Sequence, residues 1–262
     1  MTMTKIIAIC NQKGGVGKTT TAVNLSAALS MAEKRTLLVD ADPQANATQG
    51  VGVSLGENDP TLYDVLCHDT AWTPELASSF LHKTELPFLE IVPANHHLAG
   101  AEIELVNASS RETRLRAFLA QIEQRYDYVL IDTPPSLGLL TLNVLVAATS
   151  VMIPIQCEYY ALQGLAELLN TIRLTQRSFN PNLRIEGALL TMFQSSTLLS
   201  KQVVDEVKTS FNERVFQTII PRAIKLAEAP SFGKPILLYD IATPGAAAYM
   251  RLAQEVMGGA AE

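Results

Sequence analysis

The feature that most constrains this chain is the run Lys13-Gly-Gly-Val-Gly-Lys-Thr-Thr20, set between the apolar stretch Ile6–Cys10 and a segment of helical period, Lys18–Met31. Glycines let a backbone curl so tightly that successive N–H groups turn inward, and a helix opening behind them adds its partial positive charge. A strand, a glycine loop and a helix in that order make a cradle for phosphate oxygens. Within it Lys18 is placed to reach β- and γ-phosphates, the Thr19 hydroxyl to ligate Mg²⁺, and Thr20 to meet an α-phosphate. The strict pattern GxxxxGK[ST] is broken, because its first glycine position holds Gln12 and an extra lysine, Lys13, follows. A dinucleotide fingerprint is excluded, since Gly15-x-Gly17 is followed by Thr20 where close helix–strand packing needs glycine or alanine. The loop reads as a nucleoside triphosphate site built from Gly14, Gly15, Val16, Gly17, Lys18, Thr19 and Thr20.

The rest of the chain alternates in the same way. Ile6–Cys10, Thr36–Val39, Phe88–Val92, Tyr128–Ile131, Val151–Ile155, Ile185–Thr191 and Val215–Ile220 read as strands, several continuously apolar as in parallel strands buried on both faces. Lys18–Met31, Ala99–Val106, Arg111–Arg125, Leu137–Ala148, Ala161–Ser178, Ser200–Phe211 and Ala246–Val256 read as helices. The expectation is an α/β fold, a doubly wound and mostly parallel sheet with helices on both faces, of the P-loop NTPase type. With 262 residues, 48% of them hydrophobic and 18% charged, the chain can bury one large core and is not disordered. No repeat or linker divides it, so residues 1–262 are expected to form a single domain, with Gly50–Pro87 as a surface excursion. Cys10, Cys67 and Cys157 lie far apart without CxxC pairing, which argues against a disulfide scaffold or a one-chain metal cage. Thr133–Cys157 lacks any charge, but Pro134, Pro135 and Pro154 punctuate it, and a buried helix feeding a central strand explains it better than a membrane span. The opening Met1–Lys5 has no leader-like pattern, and a cytoplasmic location is expected.

Phosphoryl transfer needs a metal and an oriented water more than covalent chemistry. Two strand ends offer carboxylates for both. Tyr128-Val-Leu-Ile-Asp132 is an apolar strand finishing in Asp, the arrangement in which the acid holds Mg²⁺ through water. Thr36-Leu-Leu-Val-Asp40-Ala-Asp42 ends another; Asp42 lies just beyond the strand, where it can position the attacking water or reach the metal, and Asp40 stands behind it. Thr19, Asp42 and Asp132 are thus the metal candidates, and Lys18 and Asp42 the residues acting on the reacting phosphate. All four histidines fall within residues 68–97 without metal-ligand spacing.

With these motifs together, the chain resembles the ParA (Soj-like) family of deviant Walker A ATPases, relatives of MinD and of the nitrogenase iron protein. The resemblance runs through Lys13–Thr20, Asp40–Gln44, Asp132–Pro135, Gln156–Tyr160 and Glu228–Ser231. It implies ATP and Mg²⁺ as cofactors and a homodimer formed on ATP binding, in which Lys13 crosses to the partner's nucleotide and acts catalytically. A cation supplied in trans stabilises charge developing at the phosphates, as an arginine finger does. Asp42 resembles the aspartate that such proteins need for hydrolysis. Pro221 and Arg222 match a stretch near the base, and Met192 ends the preceding strand. The resemblance further implies non-specific DNA binding, a ParB-like protein that stimulates hydrolysis, nucleoid association, and a role in moving a chromosome or plasmid.

Charge bears on the DNA expectation. The net charge of −6 conceals an asymmetry: residues 1–170 hold 10 basic and 18 acidic side chains, residues 171–262 hold 10 and 8. The family's arginine-bearing stretch reads Gln194-Ser-Ser-Thr197 here, leaving Lys201, Lys208, Lys225, Lys234 and Arg251, with Arg222, as candidate phosphate contacts. Two other readings keep the ATPase. One moves a protein cargo instead of DNA. The other is recruited to membrane like MinD, which needs a basic amphipathic C-terminal helix; Ala246–Glu262 has only Arg251, so no membrane partner is expected. A reductase with a shared cluster would need paired cysteines that the chain does not offer. With only Met1–Lys5 before the first strand, no helix-turn-helix module and no operator binding are expected.

Overall fold

A computed structural model describes residues 3–159, 164–211 and 214–258. Among the described residues seven strands form one sheet: β1 (Lys5–Ile9), β2 (Thr36–Asp40), β3 (His82–Lys83), β4 (Leu89–Val92), β5 (Tyr128–Asp132), β6 (Ser150–Gln156) and β7 (Arg184–Thr191). Their order is β3-β4-β2-β5-β1-β6-β7, parallel throughout except for the antiparallel edge pair β3–β4. Among the described residues twelve α-helices accompany them: α1 (Lys18–Met31), α2 (Asn46–Gly50), α3 (Leu62–Cys67), α4 (Pro74–Ser78), α5 (Leu98–Glu104), α6 (Arg114–Leu119), α7 (Leu139–Ala147), α8 (Leu165–Ser178), α9 (Leu198–Ser210), α10 (Ile224–Glu228), α11 (Ile236–Tyr239) and α12 (Pro244–Val256).

The period of two along each strand divides the core. Ile6 and Ala8 of β1, and Cys10 just beyond it, lie on one side with Leu37, Val39, Val129, Ile131, Val151 and Ile153, beneath α3 and α5 to α9. Ile7 and Ile9 point to the other with Leu38, Leu130, Met152 and Leu189, beneath α1 and α10 to α12. Covered on both faces, the central strands carry apolar residues at consecutive positions, as the sequence suggested.

Four expectations are corrected. Val215–Ile220 is not a regular strand. It bonds β7 only at its ends, through Phe216 N–H to Ala188 and Ile220 N–H to Leu190, because the buried Glu255 carboxylate of α12 takes the N–H groups of Gln217 and Thr218 at 2.9 and 3.0 Å. Arg111–Arg125 is not one helix: Asn143 of α7 takes the Arg111 carbonyl at 2.8 Å, α6 starts at Arg114, and a 3₁₀ turn over Glu123–Arg125 follows separately. Gly50–Pro87 is no mere excursion, for Leu62, Val65, Leu66, Ala77 and Phe80 bury there in the core. The helix expected over Ala161–Ser178 begins at Leu165, and residues 160–163, including Tyr160 of the Gln156–Tyr160 motif, lie outside the described residues. The uncharged stretch becomes α7 and β6, both internal; among the described residues no helix is long and apolar enough to cross a membrane.

Candidate nucleotide site

Parallel strands deliver their carboxyl ends to one edge of the sheet, and the crevice above that edge is where such folds bind ligands. Ile9, Asp132 and Asp40 stand in line there, register partners across β1, β5 and β2. The loop 10–17 leaves directly after Ile9. Gly15 and Gly17 take φ of +73° and +89°, and Gly17 caps α1 in the left-handed conformation with no side-chain hydrogen bond and no acid in the first helical turn. An L-residue is strained at that cap. The first N–H groups of α1 thus face the crevice without a side-chain acceptor, which suits an anion.

Buried polar contacts fix the loop. Asn11 Nδ2 donates to Pro154 O at 2.7 Å while its Oδ1 accepts from Lys13 N–H at 3.0 Å, tying the loop to β6. Thr191 at the end of β7 donates to Val16 O at 2.8 Å, and Thr133 donates to Ile9 O at 2.8 Å. Lys18 folds back with Nζ 3.3 Å from Lys13 O and is 7% exposed; burial lowers its pKa, opposed by Asp132 and Asp42. The Lys13 side chain is half-buried, and its ammonium group makes no hydrogen bond or ion pair among the described residues.

The three carboxylates differ in what already occupies them. Both Asp40 oxygens are taken: Oδ1 accepts from Asp42 N–H at 3.2 Å, and Oδ2 from the N–H and hydroxyl of Thr48 at 2.8 and 2.7 Å. Burial still pushes its carboxyl up to about 6. Asp42, 7% exposed, accepts from Gln44 N–H at 2.9 Å. Asp132 is fully buried, and among the described residues neither of its oxygens has a hydrogen-bond partner of normal length. Burial raises its pKa well above the ordinary range and Asp40 raises it further, against the opposing pull of the neighbouring Thr19 hydroxyl and the Lys18 cation. Two orphaned acceptors beside a threonine hydroxyl are costly unless a cation meets them, so the residues present fit Mg²⁺. Among the described residues no three His, Cys, Asp or Glu side chains converge as a metal cage.

The base-contact candidates lie beside this loop. Met192 follows Thr191 with φ of +53°, Phe193 bridges to Pro221, and Arg222 N–H bonds Phe193 O at 3.0 Å. The Arg222 guanidinium meets Glu158 at 3.3 Å. The DNA candidates do not form one group. Lys201 and Lys208 are exposed two turns apart on α9, in one helical layer; Lys225, Lys234 and Arg251 belong to the other. Lys225 is paired with Asp240 at 2.7 Å, and Lys234 lines a cleft of about 340 Å³ with Thr19, Asn24, Asn46, Gln49 and Ser231. The apolar face of α12 packs against α1, with Leu252, Ala253 and Val256 buried, so it offers no free face to a membrane.

Sequence reasoning missed Asn11, Asn24, Thr48 and Thr191. Asn24 accepts from Ile236 N–H at 2.7 Å and so ties α1 to α11. Below it, α2 packs on the 3₁₀ turn Ala229–Phe232 and two glycine backbones touch. A Cβ on Gly52 (φ +76°) would stand 2.7 Å from Gly233 O, and one on Gly233 (φ +63°) 3.1 Å from Gly52 Cα.

Comparison with known proteins agrees with this geometry. The model of a family described as AAA domain matches residues 4–185. The chromosome partitioning protein ParA of Myxococcus xanthus is 54% identical over 256 residues, covering 98% of this chain and 89% of that one. The sporulation initiation inhibitor protein Soj of Bacillus subtilis is 54% identical over 254 residues, with 97% and 98% covered. Among solved structures, a cobyrinic acid a,c-diamide synthase from Mycobacterium smegmatis with bound ATP analog and magnesium superposes with TM-score 0.84 at 36% identity, over 97% of this chain and 95% of that one. The septum site-determining protein MinD of Pyrococcus horikoshii, complexed with Mg-ADP, gives 0.75 at 25% identity, over 97% and 96%.

Proposed function

We propose, from the premise that this chain belongs to the ParA/Soj family of chromosome-partitioning ATPases, that it is a switch which dimerises on ATP, binds DNA without sequence preference as the dimer, and is released by hydrolysis. That it is an ATP- and Mg²⁺-dependent partitioning ATPase follows from the family. The observation that carries the chemistry is the convergence of Lys18, Asp42 and the unpartnered Asp132 on one glycine loop.

Each residue then has a task. The inward N–H groups of Gly14 to Thr20 hold the phosphate oxygens, and Lys18, drawn down over the loop, neutralises the β- and γ-oxygens. Asp132 and Thr19 would hold Mg²⁺, which would supply a Lewis acid for the charge developing on the phosphate. Asp42 orients the water for in-line attack. Lys13, whose ammonium has no partner among the described residues, reaches the nucleotide of a second copy. Met192, Pro221 and Arg222 border the base, being next to the strand end that fastens Val16. Lys201, Lys208, Lys225, Lys234 and Arg251 contact DNA phosphates, and dimerisation doubles whatever basic surface they supply. A ParB-like protein accelerates hydrolysis, and the protein works on the nucleoid in the cytoplasm.

The test is electrophoretic retardation of unrelated DNA fragments with a non-hydrolysable ATP analogue. The expected result is an ATP-dependent shift, indifferent to sequence, that weakens steeply with salt as counterion release requires. No shift at low salt overturns DNA binding and favours the protein-cargo reading. That reading has its own support in the division of the basic residues between two layers and in the Lys225–Asp240 pair.

A further inference from the structure

We propose that Thr48 is a positioning residue for ATP hydrolysis, holding the segment that carries Asp42 in register with the strand ends; this rests on the reading of Asp42 as the residue that orients the water. The segment needs holding. It leaves β2 at Asp40 and turns through Ala45, which adopts φ of +54° without being glycine, before α2 begins at Asn46. α2 has five residues and its N-cap makes no side-chain hydrogen bond, so the segment contains little to fix itself.

Thr48 supplies what is missing. It is 3% exposed, and its hydroxyl bonds in two directions: it donates to Asp40 Oδ2 at 2.7 Å and accepts from Ala94 N–H at 3.0 Å. Asp40 ends β2, and Ala94 stands two residues past β4, the strand paired with β2. One hydroxyl therefore fastens α2 to two adjacent strand ends. Through Asp40 the contact continues, because Oδ1 of that carboxylate holds Asp42 N–H at 3.2 Å. Asp42 Oδ1 is in turn committed to Gln44 N–H, which leaves Oδ2 as the oxygen able to meet a water. Asp40, which accepts from three donors through its two oxygens, is a bracket between Thr48 and Asp42.

Thr48→Val keeps the shape and the backbone bond to Asp40 but removes the hydroxyl; Thr48→Ser keeps the hydroxyl. Single-turnover ATP hydrolysis is measured beside the affinity for a fluorescent ATP analogue in the full-length protein. Small misplacements of a reacting group cost up to about a hundredfold in rate, so Thr48→Val is expected to hydrolyse at least about tenfold more slowly, with affinity within about twofold of wild type and with Thr48→Ser near wild-type rate. Wild-type turnover by Thr48→Val, or a loss confined to affinity, overturns the proposal. Should Thr48→Val not fold, Thr48→Cys, with a weaker donor, is expected to fall below Thr48→Ser, and equal rates for the two overturn it. Asp42→Ala separates the two layers of the argument. If it hydrolyses at the wild-type rate, the reading of Asp42 fails; if it is dead while Thr48→Val is unimpaired, only the role of Thr48 fails.

Discussion

Replacing Asp132 with asparagine separates two consequences of a buried, unpartnered carboxylate. In the protein without nucleotide, Asp132 has the Thr19 hydroxyl beside it but no hydrogen bond of normal length among the described residues, and its charged form is disfavoured by burial and by Asp40. The amide removes the charge at nearly constant volume, so the ligand-free variant is expected to be at least as stable as wild type. The amide remains a buried polar group, so the gain is relief of the buried charge alone; relief of about 1 kcal/mol raises the melting temperature by about 2–4 °C in a domain of this size. With magnesium and ATP the order reverses. A ligand present at about a hundred times its dissociation constant stabilises by about 2.7 kcal/mol, or about 5–11 °C. Wild type is expected to gain that increment only when magnesium accompanies ATP, and Asp132→Asn to lose most of it. Thermal unfolding followed by dye fluorescence, with ATP plus magnesium or plus chelator, reads both. A ligand-free variant several degrees less stable than wild type, or one that keeps the full magnesium increment, refutes the argument that these oxygens are set for a cation.

Lys13→Ala removes an ammonium group that no other described residue uses, so ATP affinity is expected to stay within about threefold while the doubling of mass on ATP addition disappears; wild-type dimerisation by light scattering contradicts the trans role. Asp40 makes stability depend on pH. Its pKa rises from 3.8 to about 6 on folding, so the folded state retains the proton longer, and the contribution is full below about pH 4 and lost as pH climbs through about 6. A rise of that size corresponds to about 3 kcal/mol. The denaturant-measured stability of wild type relative to Asp40→Asn is expected to fall by up to that amount between those limits, and a constant difference contradicts it.

What could be read from the sequence is what neighbouring residues decide. α1 runs over the expected Lys18–Met31 because Gly17 starts it locally, and Asp132 ends an apolar strand whose run of residues announces it. The misreadings arise where a distant group takes a backbone partner. Leu115, Phe118, Leu119 and Ile122 have helical spacing and all are buried, yet Asn143 of α7 captures the Arg111 carbonyl and delays the helix. Likewise Glu255, far along the chain, converts a strand-like run into a segment that touches β7 only at its ends. α3 does carry a local signal: Thr61-Leu-Tyr-Asp64 is a capping box, with the carboxylate accepting from Thr61 N–H at 2.8 Å. Thr48 carried no such signal, since a threonine in a polar loop reads alike whether its hydroxyl meets water or two strand ends.

The touching backbones of Gly52 and Gly233 bear on the order in which the molecule comes into being. Synthesis delivers the glycine loop first, but its strand β1 lies between β5 and β6 and cannot be flanked until both have emerged. The segment after Asp42 gains its outer wall later still, when residues around 233 arrive, and α1 gains its tie through Asn24 to Ile236 at the same stage. A ribosome-bound chain halted short of that point therefore carries every residue of the phosphate loop, yet lacks the backing that holds the loop's helix in place. Nucleotide binding is therefore expected to come late as this chain is made, although the motif for it is among the first residues to appear.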